Sequence, residues 1–467
     1  MNLQIRQFQA GKALILTITL AFALLPAPPL SHAQSAPEPK REQLLNGLRV
    51  LLWPRQGDQN VTLKLRIHSG AAFDLAGKAG TMALLGDMLF PDPTTREFFT
   101  GELGGSLTVT TDYDAMNITL SGRATEFERI VDLLRAALVN PIPPVETVLK
   151  LRDGRALLAR EMSTAPGSIA DRAIAARLFG DHPYGRAVAG DLSSVTRVER
   201  GDLLYARERF LNPDNATLVV MGGVDERRAM RALRQLLGVW RKGDRIVPSS
   251  FRQPGAPDTR TIIFDLPGAE TADVRLAARG LARSDADYQA ANILALLVRD
   301  RWQAALPELG RSAFFVRHDA HVLPGIFIMG AAVHNPVAAN TLSAARNVLR
   351  TLASAPPPPA ELERVKNEVA ATLSKQMEDP GQLAEMWLDV ETYKLAPVNN
   401  QMRALSQVTP ADVQRTAARL FRDAPVAAVV VGSASVLRAD LERLGRVELS
   451  GEAPLPKAAP GAPAKTP

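Results

Sequence analysis

The segment VETVLKLRDGRALLAREMSTAPGSIADRA, Val145–Ala173, determines how the chain folds, because a similar segment occurs a second time in the same sequence. The second copy is ELERVKNEVAATLSKQMEDPGQLAEMW, Glu361–Trp387. Each copy has the apolar spacing of a helix, then a Pro-Gly break, then a second helical pattern. Glu161 lies opposite Gln376 in this alignment. A repeat of this length predicts that the chain contains two copies of one structural unit.

The flanks of the two copies also correspond. Each copy is followed by an apolar strand ending in glycine, Ala216–Gly222 in the first and Val426–Gly432 in the second. Each unit opens with a segment in which apolar and polar residues alternate, Val61–Ile67 and Val274–Ala278, and a helical pattern follows. The repeated unit is therefore an α+β domain of about 200 residues. We expect two homologous domains, each a mainly antiparallel sheet with helices packed on one face.

Composition divides the chain into five segments. Residues 34–245 and 260–447 are the predicted N-terminal and C-terminal domains, and the Pro/Gly/Ser-containing residues 246–259 are the predicted linker. Residues 448–467 are rich in Pro and Ala and are predicted to be a disordered tail. Residues 1–33 form a predicted signal peptide.

The signal peptide is predicted from three features. Arg6 and Lys12 precede an apolar run, Ala13–Leu25, and Ser31-His32-Ala33 has the small residues of a cleavage site. The apolar run is shorter than the roughly 20 residues needed to cross a bilayer. We therefore expect cleavage after Ala33, a secreted, periplasmic chain and no membrane-spanning helix in the mature protein. The sequence contains no cysteine, which excludes disulfides and thiolate ligands.

The charge distribution argues against nucleic acid as a partner. The formal net charge is +6 over 467 residues, and Lys/Arg are interspersed with Asp/Glu throughout the chain. A nucleic-acid-binding protein normally concentrates its basic residues in one stripe or patch. We therefore exclude that class.

Several short motifs, in this order and spacing, resemble the pitrilysin/insulinase family of zinc peptidases. They are Asn46–Val50, Ser69–Ala72, Gly77–Gly80, Met88–Phe90, Glu102–Leu107, Leu178–Arg186 and Asn212–Ala216. The resemblance covers about 400 residues and includes the duplication. It implies that the two domains form half of a clam-shell chamber.

The resemblance also shows which catalytic residues are missing. The family binds zinc through a helical H-x-x-E-H motif and a distal glutamate, and the glutamate within the motif activates water. The corresponding positions here are Ala83, Gly86 and Asp87, and only Glu161 occupies a ligand position, that of the distal glutamate. Two carboxylates without an imidazole are a poor zinc site. We expect no catalytic residue, no bound metal and no cofactor, and treat Glu161 as a vestigial ligand position.

The second domain of the family usually supplies an Arg and a Tyr that contact substrate near the metal. Their ungapped equivalents here are Pro307 and Phe314. Whether Arg301 or Arg311 replaces the pair stays open at this stage.

One functional element of the family does not need the metal. The strand after Gly104-Gly105 comprises Ser106, Leu107, Thr108, Val109 and Thr110, and it resembles the edge strand to which the family adds a bound peptide. We predict peptide binding there, with an ordinary half-buried strand as the alternative.

The remaining candidates have simpler interpretations. His318 and His321 lie on a predicted strand, where an offset of three places them on opposite faces, so both are expected to be structural or solvated. His182 is expected to order a Gly/Asp/Pro-rich turn. Asp112 and Asp114 are expected on a solvated strand edge.

The sequence therefore favours a non-catalytic subunit that forms a heterodimer with an active homologous zinc peptidase and binds peptide or unfolded protein. The alternative is a stand-alone binding or scaffolding pseudoenzyme without a proteolytic role. A peptidase with a rebuilt site around Asp87 and Glu161 is a third reading.

Overall fold

Two six-stranded sheets form the framework of a computed structural model that describes residues 36–243, 251–310 and 313–450. The predicted signal peptide and residues 451–467 of the predicted tail lie outside the described residues. No helix of the described part is long and apolar enough to cross a bilayer.

The first sheet has the strand order β1-β2-β6-β3-β5-β4. The strand bounds are β1 Lys40–Gln43, β2 Arg49–Pro54, β3 Asn60–Ile67, β4 Ser106–Thr111, β5 Met116–Arg123 and β6 Ala216–Gly222. Only β2 and β6 pair in parallel, and the other neighbours are antiparallel.

The second sheet has the corresponding order β12-β7-β11-β8-β10-β9, but here β7 pairs in parallel with both β11 and β12. Its strands are β7 Thr261–Asp265, β8 Thr271–Arg279, β9 Phe314–Asp319, β10 Ile326–His334, β11 Ala427–Gly432 and β12 Val447–Leu449. In both sheets an apolar strand late in the half inserts beside the first long strand, as β6 does beside β3 and β11 beside β8. The two-domain α+β fold predicted from the internal repeat is therefore confirmed.

The helices follow the repeat as well. The first half contains α1 Thr81–Leu89, α2 Thr94–Gly101, α3 Phe127–Val139, α4 Val145–Met162, α5 Pro166–Phe179, α6 Leu192–Val195, α7 Arg200–Phe210 and α8 Glu226–Leu237. The second half contains α9 Tyr288–Ala305, α10 Ala338–Ser354, α11 Pro359–Glu378, α12 Pro380–Tyr393, α13 Val398–Ser406, α14 Pro410–Phe421 and α15 Ala434–Leu444. Pro166 and Pro380 begin the helices after the predicted breaks, because proline has no amide hydrogen to lose at that position.

Two segment boundaries can be compared with the prediction. Residues 251–259 of the predicted linker form neither helix nor strand, and β7 begins at Thr261. The last strand ends at Leu449, two residues beyond the predicted domain end, because β12 pairs with β7 and the Ser450 amide donates to the Ile263 carbonyl.

Each sheet buries one face against helices of its own half. On β3 the alternating residues Val61, Leu63, Leu65 and Ile67 are at most 1% exposed and join the first core. The second core is built in the same way from β8, β10 and the helices of the second half. The alternation of apolar and polar residues in the sequence therefore predicts correctly which side chains of β3 face the core.

The opposite face of each sheet is also covered, by a helix from the other half. Ile174 and Leu178 of α5 pack with Ile328 and Val429 on the second sheet. Leu383 and Trp387 of α12 join a cluster with Val219 on the first sheet. The prediction of helices on one face therefore holds for the helices that belong to the same half as the sheet, and the other face is covered by the exchanged helix. The exchange of α5 and α12 interlocks the two halves.

A buried arginine fixes each exchanged helix. Arg66 on β3 is 6% exposed, and its Nη2 and Nη1 donate to Glu385 at 2.6 Å and to Asp389 at 2.7 Å on α12. Arg275 on β8 is 5% exposed and donates to Asp171 on α5 at 2.6 Å. Glu385 and Asp171 each follow the first proline of their helix by five residues. The repeat therefore encodes the same ionic contact twice.

Candidate functional site

The helix that carries the degenerate metal positions is α1. Its first turn is fixed by Asp74, whose carboxylate accepts the amides of Gly80 at 2.7 Å and Met82 at 2.8 Å. Gly80 has φ +95°, and a Cβ there would lie 2.7 Å from the Ala189 carbonyl oxygen. Burial raises the pKa of Asp74 to about 7, although these two amide donors oppose the shift. The Gly77–Gly80 motif thus serves the turn that positions α1.

The positions of the missing ligands lie in the packed part of this helix. Ala83 is 4% exposed, and Gly86 lies against β4, where an added Cβ would be 3.1 Å from Val109 Cγ1 and 3.6 Å from Thr111 Oγ1. A larger side chain at Gly86 would therefore have to displace the β4 side chains. The close contact places α1 directly beside the edge strand.

Asp87 is held by a salt bridge to α4. Arg155 Nη2 donates to Asp87 Oδ1 at 3.0 Å and to the Ala83 carbonyl at 2.8 Å, and its Nε also donates to the Asp87 carboxylate. One guanidinium thus contacts both positions at which the resemblance expects histidine. The arrangement ties α1 to α4 and neutralises the carboxylate that a rebuilt metal site would need.

Glu161 lies near the end of α4 and is exposed. It follows Arg155 by six residues, which is about 9 Å along a helix and on a different face. Its carbonyl accepts from Thr164 Oγ1 at 2.9 Å. Within residues 36–243, 251–310 and 313–450 there is no group of three or more His, Cys, Asp or Glu side chains placed to hold a metal ion.

Both second-half positions are apolar, but only Phe314 is buried, whereas Pro307 is exposed. Phe314 begins β9, is 7% exposed and makes an edge contact with Trp302 at 4.8 Å between ring centroids. Pro307 follows the end of α9. Arg301 donates two hydrogen bonds to Glu361 on α11, at 2.9 and 2.7 Å, so its guanidinium is committed to that helix. Arg311 lies outside the described residues.

The predicted peptide-binding strand is β4, at the edge of the first sheet. It pairs on one side with β5, from Ser106 opposite Ser121 to Thr111 opposite Met116, and on its other side no strand of the described part adjoins it. Leu107 is buried, whereas Ser106, Thr108 and Thr110 are exposed. Its outer main-chain groups can therefore pair with an added strand. Peptide binding there stays a prediction.

Asp112 and Asp114 differ from the sequence expectation. Asp114 is 2% exposed and accepts from Tyr184 Oη at 2.9 Å and the Val322 amide at 3.0 Å, with His321 Nδ1 at 3.3 Å. The expected solvated strand edge is therefore wrong. Asp114 joins the first half to the loop before β10. No local pattern in the sequence indicates this contact, because Asp114, Tyr184 and His321 are spread over more than 200 residues.

His318 and His182 have structural roles. His318 Nε2 accepts the Leu281 amide at 3.0 Å, and burial lowers its pKa to about 4. His182 Nδ1 accepts the Tyr184 amide at 3.2 Å, so the expected ordering of the turn is confirmed.

Comparisons with known proteins agree with this architecture. Residues 197–369 match the family model described as Peptidase M16 inactive domain. An uncharacterized zinc protease from Mycobacterium leprae is 26% identical over 204 residues, 42% of this chain and 46% of that protein. A probable mitochondrial-processing peptidase subunit beta from Arabidopsis thaliana is 23% identical over 214 residues, 44% of this chain and 40% of that protein. The matched region spans about half the length of these curated relatives.

Solved structures extend the likeness to nearly the whole fold. A peptidase M16 inactive domain from Pseudomonas fluorescens superimposes with a TM-score of 0.74 and 18% identity, covering 85% of this chain and 98% of that one. A protease from Helicobacter pylori gives 0.77 and 18%, covering 84% and 99%. A chain of complex III2 from Candida albicans gives 0.72 and 14%, covering 87% and 99%.

Two interlocked α+β halves with this strand order define the peptidase-like class of the M16 fold. The chain is similar to the M16 (pitrilysin/insulinase-type) family, and residues 197–369 match the model of that family's inactive domain. The resemblance indicated by the sequence motifs is thereby confirmed.

Proposed function

We propose that the chain is the non-catalytic subunit of a periplasmic zinc peptidase complex, in which it encloses and binds peptide beside an active homologous subunit. The main support for this proposal is that α1 keeps its place in the fold but lacks the metal-binding residues. The fold around α1 is complete, whereas its metal positions hold Ala83, Gly86 and an Asp87 engaged by Arg155. A protein that keeps the scaffold without the ligands can contribute enclosure and binding.

The peptide would bind along β4. Main-chain hydrogen bonds supply most of the affinity in strand addition, so the exposed edge suffices without a metal. Gly86 contacts Val109 of this strand, which brings the edge next to the degenerate helix. The bound segment would therefore lie where an active relative would present its substrate to zinc.

A partner surface is suggested by exposed apolar residues on α4. Leu158 and Met162 are 61% and 59% exposed. Their counterparts in the repeat, Leu373 and Met377 on α11, pack against the cluster formed by α12 and the first sheet. The same side chains are thus covered in one half and uncovered in the other. Apolar surface of this kind marks interaction sites, and we assign it to the homologous subunit.

The test uses three preparations: this chain, a homologue from the same organism with an intact H-x-x-E-H motif, and both together. We expect the two chains to co-sediment, and cleavage of an unstructured peptide to exceed that of the homologue alone. Leu158→Ser with Met162→Ser should weaken association by at least about tenfold. Val436→Ser on α15, also an exposed apolar position, is the matched control and should leave association unchanged. A homologue that is fully active as a homodimer and never binds this chain would refute the proposal.

The alternative is a stand-alone binding or scaffolding pseudoenzyme. It is favoured by the second half, where Pro307 and a buried Phe314 replace the substrate-contacting Arg and Tyr. The structural neighbour from complex III2 is a chain of a larger assembly. Purification from the native envelope fraction distinguishes the two readings. Recovery with an H-x-x-E-H homologue favours the heterodimer, and recovery without one favours the scaffold.

A further inference from the structure

A cavity of about 1000 Å³ lies away from the degenerate metal positions, between the first half and the segment Phe251–Asp258. Arg279 joins two lining residues of the cavity by donating to the Leu178 carbonyl at 2.7 and 2.9 Å and to the Pro254 carbonyl at 3.0 Å. These bonds hold the segment after the described first half against the end of α5. The volume is that of a site for a small organic ligand or a short peptide end.

The floor of the cavity is aromatic. Phe73 lies 5.0 Å from Phe210 and 5.7 Å from Phe251, measured between ring centroids. The Phe251 ring is 5.9 Å from that of His182. Such a surface buries a large apolar or aromatic side chain, and the aromatic rings already have fixed neighbours on the protein.

A buried hydrogen-bond donor faces the same space. His182 is 8% exposed and lines the cavity. Its Nδ1 accepts the Tyr184 amide, so in the neutral ring the proton is on Nε2, which has no hydrogen-bond partner within the described part of the chain. Burial, together with Arg186 and Arg279, lowers the pKa of His182 and keeps the ring neutral. Nε2–H is therefore available to an acceptor from a ligand.

Four arginines and three aspartates line the cavity: Arg177, Arg186, Arg209, Arg252, Asp74, Asp181 and Asp258. Arg177 is neutralised by Glu448 at 2.8 Å. Arg186 donates to the main-chain carbonyls of Asp74 and Leu75, at 2.9 and 3.3 Å. Arg209 lies over the Tyr205 ring at 5.7 Å and forms no ion pair with a described residue. Guanidinium groups of this kind bind carboxylates with two parallel hydrogen bonds.

We propose that this cavity binds the C-terminal end of a peptide, with the terminal carboxylate at Arg209 and His182 and an aromatic or large aliphatic last side chain on the Phe73–Phe251 floor. A peptide end carries an anion and an apolar group one carbon apart, and the cavity is lined by both hydrogen-bond donors and aromatic rings. Carboxylate capture is a recurring mode of peptide recognition. The site belongs to the chain by itself and requires no zinc subunit, so it stands or falls independently of the proposed heterodimer.

Calorimetric titration of the full chain with the peptide Ala-Gly-Ala-Phe tests the assignment. The free acid should bind at least about tenfold more tightly than the C-terminal amide, because a charge-assisted hydrogen bond is lost. Arg209→Gln should weaken binding about tenfold. His182→Asn places an amide oxygen where Nδ1 accepts, which preserves the turn, and should weaken binding several-fold by removing the Nε2 donor. Arg231→Gln, an exposed arginine on α8 outside the cavity, should change affinity by less than about twofold.

Competition experiments distinguish a peptide end from a simple anion as the ligand of the cavity. N-acetylphenylalanine should displace the peptide, whereas inorganic phosphate should not. Equal binding of acid and amide, or no binding of the acid, would overturn the proposal. Displacement by phosphate as effective as that by N-acetylphenylalanine would overturn the apolar part of it. Thermal unfolding of each variant ensures that a lost affinity reflects the cavity and not the fold.

Discussion

Trp387→Ala tests the interlocking of the two halves. Trp387 belongs to the second half in sequence, but it is 2% exposed in a cluster with Leu51 and Val219 of the first sheet, and its ring is 5.1 Å from Trp53. If the exchange of helices stabilises both halves, removing this side chain should destabilise the first sheet. Independent halves would leave that sheet unaffected.

The size of the effect follows from packing and hydrogen bonding. Truncating a buried tryptophan to alanine costs about 3–5 kcal/mol. Trp387 Nε1 is buried without a hydrogen-bond partner in the described part of the chain, and removing such a donor regains about 1–2 kcal/mol. We therefore expect a loss of about 1–4 kcal/mol. Trp302→Ala is the matched control, because Trp302 lies in the second core and its Nε1 donates to the Thr341 carbonyl at 3.0 Å. It should cost about 5 kcal/mol.

Native-state amide hydrogen exchange is the assay, with guanidinium unfolding as the measure of global stability. In Trp387→Ala the amides of β6 in the first sheet should lose protection together with those of α12. A single cooperative transition should be retained. Loss of protection confined to the second half, or a separate early transition of that half, would refute the interlocking.

Three further predictions concern the site, processing and pH. The purified chain should contain no stoichiometric zinc after dialysis, because Asp87 is engaged by Arg155 and the described residues hold no group of three metal-ligating side chains; elemental analysis showing about one zinc per chain would revive the rebuilt-site reading. N-terminal sequencing of the exported protein should begin at or near Gln34, and recovery of the intact precursor in the membrane would indicate an anchor. Burial lowers the pKa of His68 to about 3, so the folded state binds fewer protons than the unfolded state between about pH 3 and 6.5, and stability should fall as pH drops through that window. His68→Asn should reduce the slope by up to about 1.4 kcal/mol per pH unit in urea titrations, whereas the exposed His334→Asn should not.

The sequence predicts the fold well, because its strongest signals are local. The alternation on β3 and the Pro-Gly breaks depend on residues close together in the chain, and the repeat is found by comparing two such segments. The exchange of α5 and α12 was not predicted, although the sequence of β6 indicates that both faces of this strand are covered. Every residue of β6 is buried, and a continuous apolar run of this kind is typical of a strand covered on both faces. Which helix covers the second face depends on contacts between distant segments, which spacing cannot supply.

The same distinction applies to the site. The degenerate positions could be located by motif, but the partner of Asp87 could not, because Arg155 is 68 residues away on another helix. Asp114 was misassigned for a similar reason. Its position beside a turn resembles a solvated edge, while its burial is created by Tyr184 and by the loop before β10.

The location of the stabilising contacts explains how this scaffold can exist without the metal. A structural metal site contributes its binding free energy to folding, so its loss unfolds the domain. Here the two halves are held by the exchanged helices and by the Arg66 and Arg275 contacts, which lie on the sheet faces away from the two main cores, the first of which contains α1. Substitutions at Ala83, Gly86 and Asp87 therefore remove chemistry without removing the contacts that join the halves.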